Sequence, residues 1–430
     1  MKEIKLSGLE EILYQETLHN GLEIYLLPYE NKKNYYITYA TKYGSDVLSF
    51  VTEEKEEYTP PLGIAHYLEH KMFEEPSGED PFTFFSYSGS DGNAATSYDN
   101  TQYTCSGTKA FKENLKYLIE FVNNPYFTDE NVEKEKGIIA EEIKMYQDLP
   151  DYQLEMKLRE NLYWNSPRKY DVAGTIREIR RIKKEDLYQC YHGFYIPNNM
   201  FLLITGNFDK EEAMKIVKET LEEKKSKPLP KILKLREKKE VVKEEETIYQ
   251  NIEIPKVGVG IKVPKDCIEK EKVETHLYLN MLTTILFGAS SEFRERVRED
   301  QILNDIYMEW EEEESYHTFY LFATSTSPDQ LLSEIEYELS HISITSKAFE
   351  RVKKVWIATE IKMMDIPEKA ESNLFEDIIN YGMVVEDRID LIRKMNVKEM
   401  EKIIKKLDLS NRSTIKMLEK RSKKKRNYDS

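Results

Sequence analysis

Cysteine is scarce in this sequence. The three present, Cys105, Cys190 and Cys267, are odd in number, far apart and without any Cys-x-x-Cys spacing. This excludes a disulfide framework and points to reduced thiols in a reducing compartment. Long apolar runs are also missing: no stretch reaches the roughly 18 residues of a membrane-crossing helix. The opening Met1-Lys2-Glu3-Ile4-Lys5-Leu6 has no apolar centre of the kind an export signal needs. These absences predict a soluble, cytoplasmic protein with no membrane partner. Positive charge is in deficit, with a net charge of −16, which excludes a nucleic-acid partner because phosphate neutralisation requires a basic face. One basic block, Lys420-Arg421-Ser422-Lys423-Lys424-Lys425-Arg426, reads as a solvated tail spanning 416–430.

Apolar side chains are plentiful. Hydrophobic residues make up 40% of the 430, and there are 29 tyrosines, far too many for a disordered chain and too long a chain for one core, so two domains of about 200 residues each are expected. Residues 21–27 and 34–40 are rich in β-branched and aromatic side chains and read as strands, as does the apolar run 201–205. Residues 62–73, 109–123 and 129–148 repeat apolar positions at helical spacing, so the class is α+β. Residues 222–247 are dominated by Lys, Glu, Pro and Leu with Pro228 and Pro230 near the middle, which places a charged linker at 226–248 between domains at 1–225 and 249–415. A repeat supports duplication. Ile139-Ala140-Glu141-Glu142-Ile143-Lys144-Met145 and Ile357-Ala358-Thr359-Glu360-Ile361-Lys362-Met363 agree at all but one position, and aspartates follow at 148 and 365.

The chain has seven histidines, and two of them stand in His66-Tyr67-Leu68-Glu69-His70. Four residues apart on a helix, their imidazoles share one face about 5–6 Å apart at Cβ, within reach of a single ion. Glu69 lies beside them, placed to take a proton from a water that the ion activates. A catalytic zinc wants three protein ligands. Helix 129–148 offers Glu142, within an apolar stripe read as Ile138, Ile139, Ile143 and Tyr146, with Glu135 two turns earlier on the same side and Glu141 pointing elsewhere. Glu360, the counterpart of Glu142 in the repeat, has no histidine pair to serve.

These residues resemble the pitrilysin/insulinase family of inverted zincins, in which His-x-x-Glu-His reverses the usual zincin order. The likeness extends in order through Gly92-Asn93-Ala94-Ala95-Thr96-Ser97, the Glu135/Glu142 helix and Tyr195-Ile196-Pro197-Asn198-Asn199-Met200. The half-size bacterial members, similar to mitochondrial processing peptidase subunits, match this length best. The resemblance implies two homologous domains, each a mostly antiparallel sheet covered by helices, together forming half of a clamshell chamber. It implies one Zn2+ per chain on His66, His70 and Glu142, Glu69 as general base, and Glu135 supporting the site. Asn93, Ala94, Ala95 and Thr96 would take the peptide substrate as an added strand. Arg298 would grip it from the metal-free domain with Tyr307, although Asp305 stands where relatives place the tyrosine. Glu309 and Glu311 to Glu314 read as a solvated acidic face. The implied activity is zinc-dependent endopeptidase, with a homodimer or a heterodimer with a metal-free subunit closing the chamber. A leader-peptide maturation protease and a non-catalytic binding subunit of the same fold are the alternatives.

Overall fold

The computed structural model describes residues 1–78, 80–221 and 223–420. It has two sheet-containing units and a mixed α+β architecture. The first sheet holds β1 (Lys2–Lys5), β2 (Ile12–Thr17), β3 (Glu23–Pro28), β4 (Tyr35–Thr41), β7 (Asp91–Thr96), β8 (Thr101–Gly107) and β9 (Met200–Gly206), in the order β1-β2-β3-β9-β4-β8-β7. A short hairpin, β5 (Phe50–Val51) and β6 (Glu57–Tyr58), stands apart from it. The second sheet holds β10 (Glu245–Gln250), β11 (Lys256–Pro264), β12 (Asp305–Glu312), β13 (Tyr316–Thr324) and β14 (Arg412–Glu419), in the order β10-β14-β11-β13-β12.

The two orders are one pattern. Reading β3-β9-β4-β8-β7 against β10-β14-β11-β13-β12, the first pair is parallel in each sheet and every later pair antiparallel. The duplication hinted at by seven residues is therefore carried by whole sheets. Helices Asp129–Gln147 and Ser346–Met364 hold the two copies of the repeat, and each is followed by a helix with proline in its first turn, Pro150–Leu162 or Pro367–Tyr381. Leu149 and Ile366 are extended, as residues before proline must be, and this stops one helix and starts the next.

Strand β9, Met-Phe-Leu-Leu-Ile-Thr-Gly, is buried along its whole length. It lies inside the sheet with both faces covered, the situation that favours a continuous apolar run. Met200, Leu202 and Ile204 face a core shared with Tyr67, Leu68 and Ile139. Phe201 and Leu203 face the other way, onto Ala370, Leu374 and Phe375 of helix Pro367–Tyr381. In the second unit, Leu154, Leu158 and Leu162 of helix Pro150–Leu162 pack on Tyr320, Ile415 and Met417. Each sheet is thus covered by a helix from the other half of the sequence. The compact units follow this exchange: one gathers Met1–Lys144, Tyr170–Leu235 and Val355–Lys394, the other Met145–Lys169, Arg236–Lys354 and the described residues from Met395 on. The stretch 226–248 read as a linker follows β9 and takes in the first four residues of β10, whereas the unit boundaries cut through the paired long helices. Strand β14 runs to Glu419, so the first residues of the region read as a tail belong to the sheet; Arg421 to Ser430 lie outside the described residues. Among the described residues no helix is long and apolar enough to cross a membrane.

Candidate active site

The helix Ile64–Lys71 begins at Gly63, whose φ of 87° lies in the left-handed region. Close packing there needs the missing side chain, since a Cβ on Gly63 would stand 2.3 Å from the Ala173 carbonyl oxygen, and one on Gly174 would meet Leu62 just as closely. The helix buries Ile64, Ala65, Tyr67 and Leu68 in the core. With that face fixed, His66 and His70 turn toward the helix Asp129–Gln147. That helix is tied on by Val132, Ile139 and Ile143 in the same core and by the Tyr67 hydroxyl, which donates to the Val132 carbonyl.

His66 Nε2 lies 3.7 Å from Glu142 Oε1, and His70 Nε2 lies 3.3 Å from Glu142 Oε2. Donor atoms of the three residues all fall within 4.8 Å of one another. Three ligands at the 2.0–2.2 Å typical of zinc would stand about 3.3 Å apart around a tetrahedral ion, so the spacing fits. Two further observations support the fit. His66 Nδ1 is buried without a hydrogen-bond partner, and Glu142 Oε2, buried as well, meets only the His70 ring, at 3.3 Å and outside hydrogen-bond geometry, an arrangement that is costly unless something else meets the carboxylate. The local electrostatics also call for positive charge. Burial and the neighbouring His70 push His66 down to about 4, leaving it a neutral donor. For His70 burial acts the same way, but the Glu135 and Glu142 carboxylates outweigh it and push the group up to about 9. The neighbouring His70 ring, 3.3 Å away, holds Glu142 below the ordinary carboxylate range.

Around this group stand the residues that hold it. Glu135 Oε1 lies 3.1 Å from His70 Nδ1, so the other ring nitrogen is the one turned to Glu142. Burial would push Glu135 up, but His70 and Lys71 keep it low. Lys71, fully buried, donates to Glu135 (3.2 Å) and Glu74 (2.8 Å). This lysine was not singled out from sequence, though its position four residues after buried Tyr67 carried the signal. Glu69 is buried, and burial raises its pKa above the usual carboxylate value. Its Oε2 accepts from the Thr96 hydroxyl at 2.9 Å. Thr96 ends β7, the edge strand of its sheet, along which Asn93 and Ala95 are exposed and Ala94 and Thr96 half-buried.

One part of the sequence reading needs correction. Ile138 is 51% exposed, and the buried side of helix Asp129–Gln147 runs through Val132, Glu135, Ile139 and Ile143 with Glu142 half-buried beside them. Glu141 faces solvent and pairs with Lys144 at 2.7 Å. Arg298 and Tyr307 belong to the other unit. Arg298 is exposed on helix Glu292–Glu299, and Tyr307 is exposed on edge strand β12, where its hydroxyl donates to Glu309 at 2.7 Å.

Known proteins share this arrangement of sequence and fold. Residues 38–176 match the insulinase family, peptidase family M16, and residues 181–355 match the peptidase M16 inactive domain. An uncharacterized zinc protease of Bacillus subtilis, YmfH, is 35% identical over 422 residues, covering 96% of this chain and 98% of that protein. An M16-like peptidase from Alicyclobacillus acidocaldarius superposes with a TM-score of 0.89 at 29% identity over 96% of this chain and 99% of its own. The periplasmic protease PqqL of Escherichia coli, at 19% identity and a TM-score of 0.77, shares the fold over 96% of this chain but only 48% of its own length. With a match over nearly the whole of both chains, this half-size protein belongs to the insulinase family, peptidase family M16.

Proposed function

We propose that the chain is a zinc-dependent endopeptidase. The observation that carries this reading is the meeting of His66 and His70 with Glu142 from a second helix, with the raised carboxyl of Glu69 next to them. Zinc on His66, His70 and Glu142 supplies Lewis-acid chemistry, polarising a peptide carbonyl and lowering the pKa of water towards about 7. Glu69 takes the proton from the attacking water and returns it to the leaving amine; its burial makes it a stronger base than an exposed carboxylate, and Thr96 fixes its orientation. Glu135 holds His70 by Nδ1, and Lys71 anchors Glu135.

Strand β7 takes the peptide. As the last strand of its sheet it has backbone groups free on one side, its small residues Ala94 and Ala95 permit close approach, and the bond from Thr96 to Glu69 links the docked strand to the base. Recognition then rests on main-chain bonds and tolerates varied sequence. The chain spans 48% of PqqL, which supports a second subunit, either another copy or a metal-free relative, completing a closed chamber. The free cysteines suit a cytoplasmic location.

The test is Glu69→Gln in the full chain, with metal content and cleavage of a quenched peptide measured together. Metal should be retained while turnover falls by about 10²–10⁴. Equal turnover in variant and wild type removes Glu69 from the mechanism, and chelator-resistant cleavage removes the metal.

A further inference from the structure

Among the described residues one other cluster can hold a metal ion: His276, Glu312 and His317, whose donor atoms all lie within 4.8 Å of one another. It lies in the unit without the His-x-x-Glu-His motif, in the stretch matching the domain described as inactive. Strand pairing brings two of the three together. Glu312 ends β12 and stands opposite His317 of β13, and residues directly opposite on antiparallel strands share a face. Helix Lys272–Phe287 covers that face, Phe287 meeting Phe319, and the start of its second turn brings in His276, with Nε2 2.7 Å from Glu312 Oε2. The two imidazole rings stand 5.6 Å apart. His317 is 4% exposed, and its Nδ1 is buried without a hydrogen-bond partner.

Two lysines complete the picture. Lys265 pairs with Glu312 Oε1, and Lys272 Nζ lies 3.1 Å from Glu312 Oε2. Their side chains are 29% and 43% exposed, against 12% for Glu312. The ammonium groups can swing into water on flexible stems, whereas the hairpin fixes the carboxylate and His317. Two imidazoles and one carboxylate form a donor set that suits zinc and its neighbours in the first transition row and suits magnesium or calcium poorly. We propose that His276, Glu312 and His317 form a second transition-metal site, in which the ion displaces Lys272 from Glu312 and clasps the N-terminal part of helix Lys272–Phe287 to the β12–β13 hairpin. This inference does not depend on the peptidase reading.

The experiment counts zinc. Full-length protein is stripped with chelator, reloaded with Zn2+ alone, freed of unbound ion by gel filtration and assayed for metal, with circular dichroism checking the fold. His276→Ala is the variant of choice because it changes one helix-turn residue and leaves the strands alone. With both sites in use, wild type carries about two equivalents, His276→Ala and His70→Ala about one each, and the double variant none. If the motif site fails to load, wild type and His70→Ala both carry one and His276→Ala none, which still supports the second site. A folded His70→Ala protein with no zinc overturns it, as does a His276→Ala protein carrying as much as wild type. Lys272→Ala, which removes the competing ammonium, should tighten this site about three- to fivefold in a competition titration with a chromophoric chelator. Unchanged or weaker binding overturns the placing of the ion on Glu312.

Discussion

Glu142 and Glu360 occupy the same place in the repeated helices, and they have come to opposite arrangements. Glu142 faces two imidazoles, 3.7 and 3.3 Å away, and keeps one oxygen without a hydrogen-bond partner. Glu360 accepts from Asn373 at 3.1 Å and has the Arg388 guanidinium 3.9 Å away, which is itself paired with buried Asp377. Both side chains are about equally exposed, at 24% and 20%. Burial alone therefore says nothing about ligation. What separates them is the neighbours: Glu360 is bonded by Asn373 and shares the Arg388 guanidinium with Asp377, whereas Glu142 faces His66, a neutral imidazole with a free lone pair, and His70, whose Nε2 proton an incoming cation can replace.

The sharpest way to break this comparison is to remove each carboxylate in turn. Glu142→Gln should weaken metal binding by more than about a hundredfold, since residues that only support a ligand are already worth about 10–100-fold, and peptide cleavage should fall with it. Glu360→Gln should leave metal content and cleavage at wild-type levels. If Glu360→Gln also loses metal, the two positions are not distinguished as argued.

Next in size is Arg388→Ala. Arg388 and Asp377 are 16% and 5% exposed, and Asp377 also accepts from the Val385 amide at 2.9 Å. Removing the guanidinium leaves a buried charge unpaired, so urea unfolding should show a loss of about 3 kcal/mol. A smaller effect is expected at the metal group. Glu135→Gln keeps the shape but takes away the carboxylate that orients His70, and metal affinity should drop by about 10–100-fold without loss of fold. Unaltered affinity would mean that the 3.1 Å contact with His70 is incidental.

The parts of this molecule legible in sequence were those written locally. His66 and His70 are one helical turn apart, and a turn fixes their neighbourhood whatever the tertiary fold. Strands β3, β4 and β9 and the helices at Ile64–Lys71, Phe111–Val122 and Asp129–Gln147 begin and end within a few residues of the positions read from periodicity. Ile138 went astray because it sits beside Ile139 in sequence, yet a 100° step turns it to water. The exchange of helices Pro150–Leu162 and Pro367–Tyr381 between the sheets was out of reach, because amphipathic spacing shows that a face will be buried and not which sheet will bury it. His276, Glu312 and His317 carry no spacing signal, coming from a helix and two strands joined only by the fold.

The exchanged helices allow a last comparison, of smaller size. Helix Pro150–Leu162 brings a cation to its sheet: Arg159 bonds Glu311 through both oxygens and lies over the Tyr320 ring. Helix Pro367–Tyr381 brings a carboxyl instead. Glu371 accepts from the Thr38 hydroxyl at 2.5 Å, and burial, with Glu368 and Glu376 close by, pushes it up to about 7. The sign follows from where the proton is held. The unfolded chain releases this proton near its ordinary pKa of about 4.5, while the folded protein keeps it until about 7, so the contribution to stability is lost as pH rises through that window and stays lost above it. Full burial would set the loss near 3 kcal/mol, and partial contact with water reduces it to about 1–2 kcal/mol. Glu371→Gln, neutral at every pH, should be about that much more stable than wild type at about pH 8 and indistinguishable from it at about pH 4. Urea midpoints for both proteins across the range decide it. Parallel curves would show that Thr38 and the surrounding water already satisfy the ionised carboxylate.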